Sequence, residues 1–299
     1  MKKFFLILYL FFSLFLYSYR IFITPSYELA DFIEEKIIIS NNIKFVSLSL
    51  NAPFLSILNN KNNVEGFIEF NMYDIKSNNI LPDKNTEGYL HEKFMIFDNK
   101  SVLFGTGNFT SGSIFEDLNV YIYTEDQAIT SLFLKEFQNF QNGKFGKNKN
   151  IENKSIYSKD IGKIIFITGP SKNIYNAINN FILSSKKFLY IFTYSFTDGR
   201  ILYSFEKLSS INVDVKIIAD NWNEKFVSNL KYLKGIEYKI LKKYRNMHLK
   251  LLVNEHGLLL GSYNLTYRAR EKNDEYILII YNKDIRQILF DLFNKLWNQ

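Results

Sequence analysis

Two copies of one short pattern, set half a chain apart, constrain this protein more than any other feature. The first runs His91-Glu92-Lys93, four apolar residues, Asp98, then Gly105-Thr106-Gly107-Asn108; the second runs His248-Leu249-Lys250, four residues, Glu255, then Gly261-Ser262-Tyr263-Asn264. The histidines stand 157 residues apart and the asparagines 156, in a chain of 299. An internal duplication of a half-site is the natural reading, which asks for two similar units that meet. The chain has three histidines, and two of them hold equivalent places in the repeat. The third, His256, has no counterpart and falls in a turn, where an exposed side chain is expected.

The spacing carries chemistry. In a β-strand, side chains two apart share a face, so His91 and Lys93 are expected to point together, as are His248 and Lys250. A histidine beside a lysine suits a phosphate. The apolar runs that follow each pair fit a strand buried on both faces, and the polar turns at 98–100 and 254–257 lead into a second apolar run. That run ends at Gly-Thr/Ser-x-Asn, where small residues allow close backbone approach and the amide can hydrogen-bond an oxyanion.

These residues resemble the signature of the phospholipase D superfamily, HxK(x4)D(x6)GSxN, in both halves. The resemblance implies a monomer with a pseudo-two-fold axis and one active site in the cleft between two α/β/α halves. It implies a metal-independent and cofactor-free phosphodiesterase, a hydrolase in which His91 attacks phosphorus and His248 protonates the leaving oxygen, with water then releasing a covalent phosphohistidine. An imidazole, whose ordinary pKa is about 6.5, can fill either role near neutral pH. Lys93, Lys250, Asn108 and Asn264 would hold the non-bridging oxygens and stabilise the pentacoordinate phosphorus.

Three departures bear on this reading. Glu255 stands where the second copy should have Asp, with the turn one residue shorter, so that Asn254 competes for the position held by Asp98 in the first copy. The resemblance makes this acid structural. Thr106 replaces Ser and keeps the hydroxyl. Family members also carry a polar residue beyond the asparagine that orients a histidine; Asn119 and Glu275, each 11 residues on, take that place. A carboxylate also stabilises imidazolium, so a contact between Glu275 and His248 would favour His248 as the acid.

Length and composition fit two halves. With 47% apolar residues the chain is globular, and each half reads as strands alternating with helices, an α/β class. Strands are expected at 43–50, 65–71, 187–195, 213–219 and 275–281, and helices at 128–140, 173–185 and 283–297. The first half is placed at 26–141, a linker rich in Lys, Asn and Gly at 142–163, and the second half at 164–299. Residues 1–25 read as a signal peptide or signal anchor: Lys2 and Lys3 precede sixteen uncharged, mostly apolar residues, with Arg20 placed to snorkel and extend the span to Thr24. No A-x-A-like cleavage site is seen, which favours an anchor holding the catalytic part on the periplasmic or extracytoplasmic face. The absence of cysteine suits an oxidising compartment and excludes thiolate metal sites.

The substrate is less constrained. The net charge is +7, and 231–250 carries seven basic residues against one acid with three tyrosines between them. Lys239, Lys242, Lys243 and Arg245 in this run are expected to bind phosphate or a polyanion, either a nucleic acid with stacking bases or an anionic lipid surface. A solvated face is the ordinary alternative. Three functions follow: a nuclease-like phosphodiesterase, favoured because halves this small leave little room for lipid-specific insertions; a phospholipase D or phosphatidyltransferase; and a lapsed phosphate-binding protein, against which the complete His, Lys and Asn sets argue.

Overall fold

The computed structural model describes residues 19–75, 77 and 79–299. Of the expected signal segment at 1–25, residues 1–18 lie outside the described residues, and among those described no helix is long and apolar enough to cross a membrane.

The first half runs β1 (Tyr19–Ile23), α1 (Tyr27–Ile39), β2 (Ile43–Ser47), α2 (Phe54–Asn59), β3 (Val64–Ile68), β4 (Ile80–Pro82), β5 (Phe94–Phe97), β6 (Ser101–Gly105), α3 (Ser111–Phe115), β7 (Val120–Thr124) and α4 (Gln127–Gln141). The second begins with β8 (Asn153–Ser158), β9 (Gly162–Gly169), α5 (Lys172–Leu183), β10 (Phe188–Thr193), α6 (Gly199–Ser209), β11 (Asp214–Asp220) and α7 (Trp222–Lys225). It ends with β12 (Glu237–Leu241), β13 (Lys250–Asn254), β14 (Leu258–Gly261), α8 (Tyr267–Glu271), β15 (Glu275–Ile280) and α9 (Lys283–Trp297).

Each half builds one mixed sheet, β4-β3-β2-β5-β6-β7-β1 and β12-β11-β10-β13-β14-β15-β9-β8. Apart from β8 the orders correspond strand for strand. In both, the first three strands of that order are parallel and the others antiparallel. The duplication reaches the helix caps: Ser26 and Ser171 cap α1 and α5, Thr110 and Thr266 cap α3 and α8, and Asp126 and Asn282 cap α4 and α9, each accepting a backbone N–H of the first turn.

A central core joins the halves. Phe133 of α4 lies against Phe94 and Phe104 of the first sheet (5.1 and 5.0 Å between ring centroids) and against Phe166 and Tyr276 of the second (5.0 and 5.2 Å). Outer cores lie under α1 and α2 in one half and under α5 and α6 in the other. The halves thus share apolar surface that neither could leave in water, which fixes their docking.

Two boundaries differ from expectation. The first sheet begins at Tyr19, not after residue 25, because β1 pairs antiparallel with β7 as β9 does with β15. Phe22 is buried against Phe32, Arg20 pairs with Glu28 at 2.7 Å rather than reaching for a headgroup layer, and Thr24 is buried. The apolar run of the N-terminus simply continues into an apolar strand. The expected linker at 142–163 is also structured: it supplies β8 and the start of β9, and its Lys149 is fully buried between the halves against Glu92, Glu136 and Asp274 at 2.7, 2.5 and 3.1 Å.

Candidate active site

His91 and His248 sit just before β5 and β13 rather than inside them: Lys93 immediately precedes β5, and Lys250 is the first residue of β13. Each motif is tied to the opposite half. Leu90 forms a parallel bridge with Asp274 and Met247 one with Leu118; the His91 N–H donates to Asp274 O (3.0 Å) and the His248 N–H to Leu118 O (2.9 Å). Two carboxylates that the sequence did not single out complete the hold. Glu69, just past β3, accepts from the Leu90 N–H at 2.8 Å, and Asp220, the last residue of β11, accepts from the Met247 N–H at 2.7 Å, at equivalent points of the two sheets.

The side-chain partners cross the interface too. Glu275 Oε2 lies 2.9 Å from His91 Nδ1, and Asn119 Oδ1 lies 3.1 Å from His248 Nδ1. The expected pairing of Glu275 with His248 is therefore corrected: each half orients the histidine of the other. The repeated hydroxyls support these partners from within their own half, with Thr106 Oγ1 donating to Asn119 Oδ1 (2.9 Å) and Ser262 Oγ to Glu275 Oε2 (2.5 Å). Asn119 Nδ2 donates to Ser113 O at 3.1 Å, which turns its oxygen toward His248 and assigns the proton there to Nδ1. Thr24, at the end of β1, steadies the same residue by accepting from the Asn119 N–H at 2.8 Å. Gly107 is required at its position, since a Cβ there would meet the Tyr121 hydroxyl and the Asn119 amide. With both Nδ1 atoms engaged, Nε2 of each ring is the atom left for chemistry.

Lys93 and Lys250 are buried and turn back on their own motif, donating to His91 O and, at 2.7 Å, to His248 O. Burial holds Lys93 down at about 7, opposed by Glu275, Glu92 and Glu69; burial and then Lys93 hold Lys250 well below the ordinary lysine range. Both histidines are also held well below their usual value, first by burial and then by the two lysines. Burial lifts Glu275 to about 7 against the pull of Lys93, Ser262 and Asn273. Burial is the first cause throughout and disfavours the charged form of the lysines, the histidines and Glu275 alike. Asn108 Oδ1 and Asn264 Oδ1 are buried without a hydrogen-bond partner among the described residues.

Tyr276 and Tyr194 were not anticipated. The Tyr276 hydroxyl crosses to the first half, 2.9 Å from the carbonyls of Lys93 and Gly105, and accepts from the Gly105 N–H at 2.9 Å. Tyr194 packs edge-on to His248 at 4.8 Å, with Lys250 Nζ 5.1 Å from its ring centroid. A lone tyrosine at a strand end carries no local signal of either contact.

Asp98 and Glu255 lie at matching turns and do matching work away from the imidazoles. Asp98 Oδ1 accepts from the N–H groups of Asn41 and Asn42, both at 2.8 Å, ahead of β2, and Glu255 Oε1 from those of Lys186 (2.6 Å) and Lys187 (3.3 Å), ahead of β10. The extra methylene of Glu255 compensates for the shorter turn, while Asn254 holds the turn itself by accepting from the His256 and Gly257 N–H groups. His256 is 51% exposed, 3.4 Å from Glu255.

The basic run is less open than its charge suggested. Lys239 donates to Leu296 O and Trp297 O at the end of α9, Lys242 pairs with Glu224 at 2.6 Å, and Arg245 donates to both oxygens of Asp117 at 2.8 Å. Lys243 lies exposed beside the Tyr244 ring. Three of the four thus have partners within the chain, while Lys242, Lys243 and Arg245 keep exposed side chains.

A family model described as "Cardiolipin synthase, PLD-like domain" matches residues 36–141 and 178–297. A search of curated proteins finds no match. Among solved structures, phosphatidylserine synthase from Haemophilus influenzae superposes with a TM-score of 0.69 at 16% identity, over 94% of this chain and 85% of that one. Polyphosphate kinase from Porphyromonas gingivalis gives 0.66 at 13% identity over 92% of this chain, which spans only 50% of the kinase. Nuc from Salmonella typhimurium, a phospholipase D family member, gives 0.44 at 23% identity over 46% of this chain and 94% of that one. With the family model on both halves and the two matching sheets between which the repeated motifs meet, this chain belongs to the phospholipase D-like family.

Proposed function

We propose that this chain hydrolyses phosphodiesters through a covalent phosphohistidine, with His91 as nucleophile and His248 as general acid. The observation that carries this is the unequal support of the two imidazoles: His91 Nδ1 faces a carboxylate, His248 Nδ1 an amide oxygen. Phosphorylated on Nε2, an imidazole bears positive charge for the whole life of the intermediate, and a fixed counter-charge serves that state best. This reverses the sequence expectation that a carboxylate partner marks the acid: an acid must give its proton away within the step, and an amide partner orients the ring without holding the charge, so the fixed counter-charge is assigned to the ring that stays cationic. His91 Nε2 forms the P–N bond as the P–O bond to the leaving group breaks and His248 Nε2 protonates the departing oxygen. Neutral His248 then takes a proton from water as it attacks phosphorus, the P–N bond breaks, and both rings return to their starting states. Lys93, Lys250, Asn108 and Asn264 line the position of the non-bridging oxygens.

The net charge of +7 favours nucleic acid as the substrate. A phospholipid is the second reading, favoured by exposed apolar side chains near both motifs: Phe70 and Met72 just beyond Glu69, and Phe226 and Val227 beyond Asp220. Residues 1–18 are proposed to direct the chain to the extracytoplasmic side.

The test offers the full-length chain single-stranded DNA, duplex DNA and phospholipid vesicles in a metal chelator, with His91→Ala as blank. DNA cleavage supports the nuclease reading, and headgroup release alone replaces it with the lipid one. A phosphoprotein should be trapped in His248→Ala and be absent from His91→Ala; trapping in the latter overturns the assignment.

A further inference from the structure

Beyond the catalytic pocket, one wall of the cleft differs from its repeat counterpart. Three aromatic rings lead outward from His248. Tyr194 lies 4.8 Å from the imidazole, Trp222 lies 6.3 Å from Tyr194, and Phe226 lies 5.1 Å from Trp222, with centroids measured in each case. The series begins at a half-buried ring and ends at one that is 59% exposed. Tyr194 and Trp222 follow the ends of β10 and β11, neighbouring parallel strands, the usual place for a ligand in such a sheet.

Strand register identifies the equivalent positions in the first half. Phe192 pairs with Leu251 as Val46 pairs with Phe94, which aligns Tyr194 with Leu48; the pairings of Thr193 with Ala219 and of Ser47 with Ile68 align Trp222 with Asn71. The catalytic groups are therefore repeated while the ring series is not. A phosphodiester is asymmetric in the same sense, since one of its two substituents leaves and the other stays on phosphorus. The rings stand on the side of the proposed acid, where the leaving group departs.

Charge flanks the rings. Lys225 and Lys243 are exposed, and the 242–245 segment is held against α7 by the Lys242 pair with Glu224. Aromatic faces in series with cations beside them match a single strand, whose bases stack while its phosphates follow the positive rim.

We propose that Trp222 and Phe226, leading on from Tyr194, form a stacking platform for the unpaired bases of the leaving portion of a single-stranded nucleic acid; this rests on the nuclease reading of the same site. The platform sets substrate preference and has no part in the phosphoryl chemistry.

The test uses full-length chain carrying His91→Ala and Trp297→Phe, so that Trp222 is the one tryptophan left of the two in the chain. A single-stranded oligothymidylate should quench Trp222 fluorescence, and phosphatidylglycerol vesicles should leave it unshifted. In the His91→Ala background, Trp222→Ala should weaken oligothymidylate binding about 5- to 150-fold, the range for loss of one stacked base. With His91 intact, Trp222→Ala should raise KM for the oligonucleotide and leave turnover of bis(4-nitrophenyl) phosphate unchanged; retained turnover also shows that the variant folds. No quenching by the oligonucleotide, unaltered binding in Trp222→Ala, or a blue shift with vesicles alone overturns the platform while leaving the phosphohistidine mechanism in place. Absence of turnover of the small diester by the wild-type chain, with no trapped phosphoprotein, instead overturns the mechanism.

Discussion

Glu275→Gln isolates the charge of one buried carboxylate while keeping its shape. Glu275 is fully buried, with Oε2 shared by His91 Nδ1 and Ser262 Oγ and Oε1 accepting from Asn273 Nδ2 at 3.1 Å. An amide can still present an oxygen to Nδ1, as Asn119 does to His248 at 3.1 Å. What is lost is the counter-charge to the proposed phosphorylated His91. A charge-assisted hydrogen bond exceeds a neutral one by about 1–2 kcal/mol, so formation of the intermediate should slow by about 5- to 30-fold. Rapid-quench measurement of the phosphoprotein, with kcat on bis(4-nitrophenyl) phosphate, reads this directly. The pH profile gives a second readout. Burial lifts the Glu275 carboxyl to about 7, so it is ionised above that pH and protonated below it. In the wild type, kcat/KM should therefore fall as pH drops below about 7, and the Gln variant should lack that limb. Wild-type rates in Glu275→Gln, or an unchanged acid limb, would refute the role assigned to the carboxylate.

Other perturbations separate structure from chemistry. Lys149→Met leaves the buried Glu92, Glu136 and Asp274 without their cation and should cost about 3–5 kcal/mol in urea unfolding, with partial recovery on adding Glu136→Gln. Glu255→Ala removes the acceptor for the Lys186 and Lys187 N–H groups and should lower stability by about 1–2 kcal/mol with kcat unchanged; a matching loss of kcat would return the acid to the chemistry.

The two histidines, two lysines and two asparagines were legible because their spacing repeats, and spacing survives in one dimension. So were the helices at 128–140 and 283–297, seen as α4 (Gln127–Gln141) and α9 (Lys283–Trp297), whose apolar faces repeat with helical period. Contacts that cross the interface were not legible. Nothing near Glu275 in sequence points to His91, 184 positions away. Lys149 lies in a stretch of Asn and Lys where composition suggests solvent, yet three carboxylates from distant segments bury it. The same holds for Lys239, Lys242 and Arg245, whose charge is visible in the sequence and whose internal partners are not. Tyr19–Ile23 was misplaced because an apolar strand and the end of an apolar leader share one composition, and only pairing with β7 separates them.

The exchange of histidine partners between halves bears on why both copies occupy one chain. A symmetric homodimer of a single half would give both imidazoles the same partner, two carboxylates or two amides. Each ring would then be equally fit to attack and to donate a proton. Covalent fusion frees position 119 from position 275, so a substitution at one no longer imposes itself on the other. The amide at one and the carboxylate at the other are a specialisation closed to a symmetric homodimer and open to this fused polypeptide.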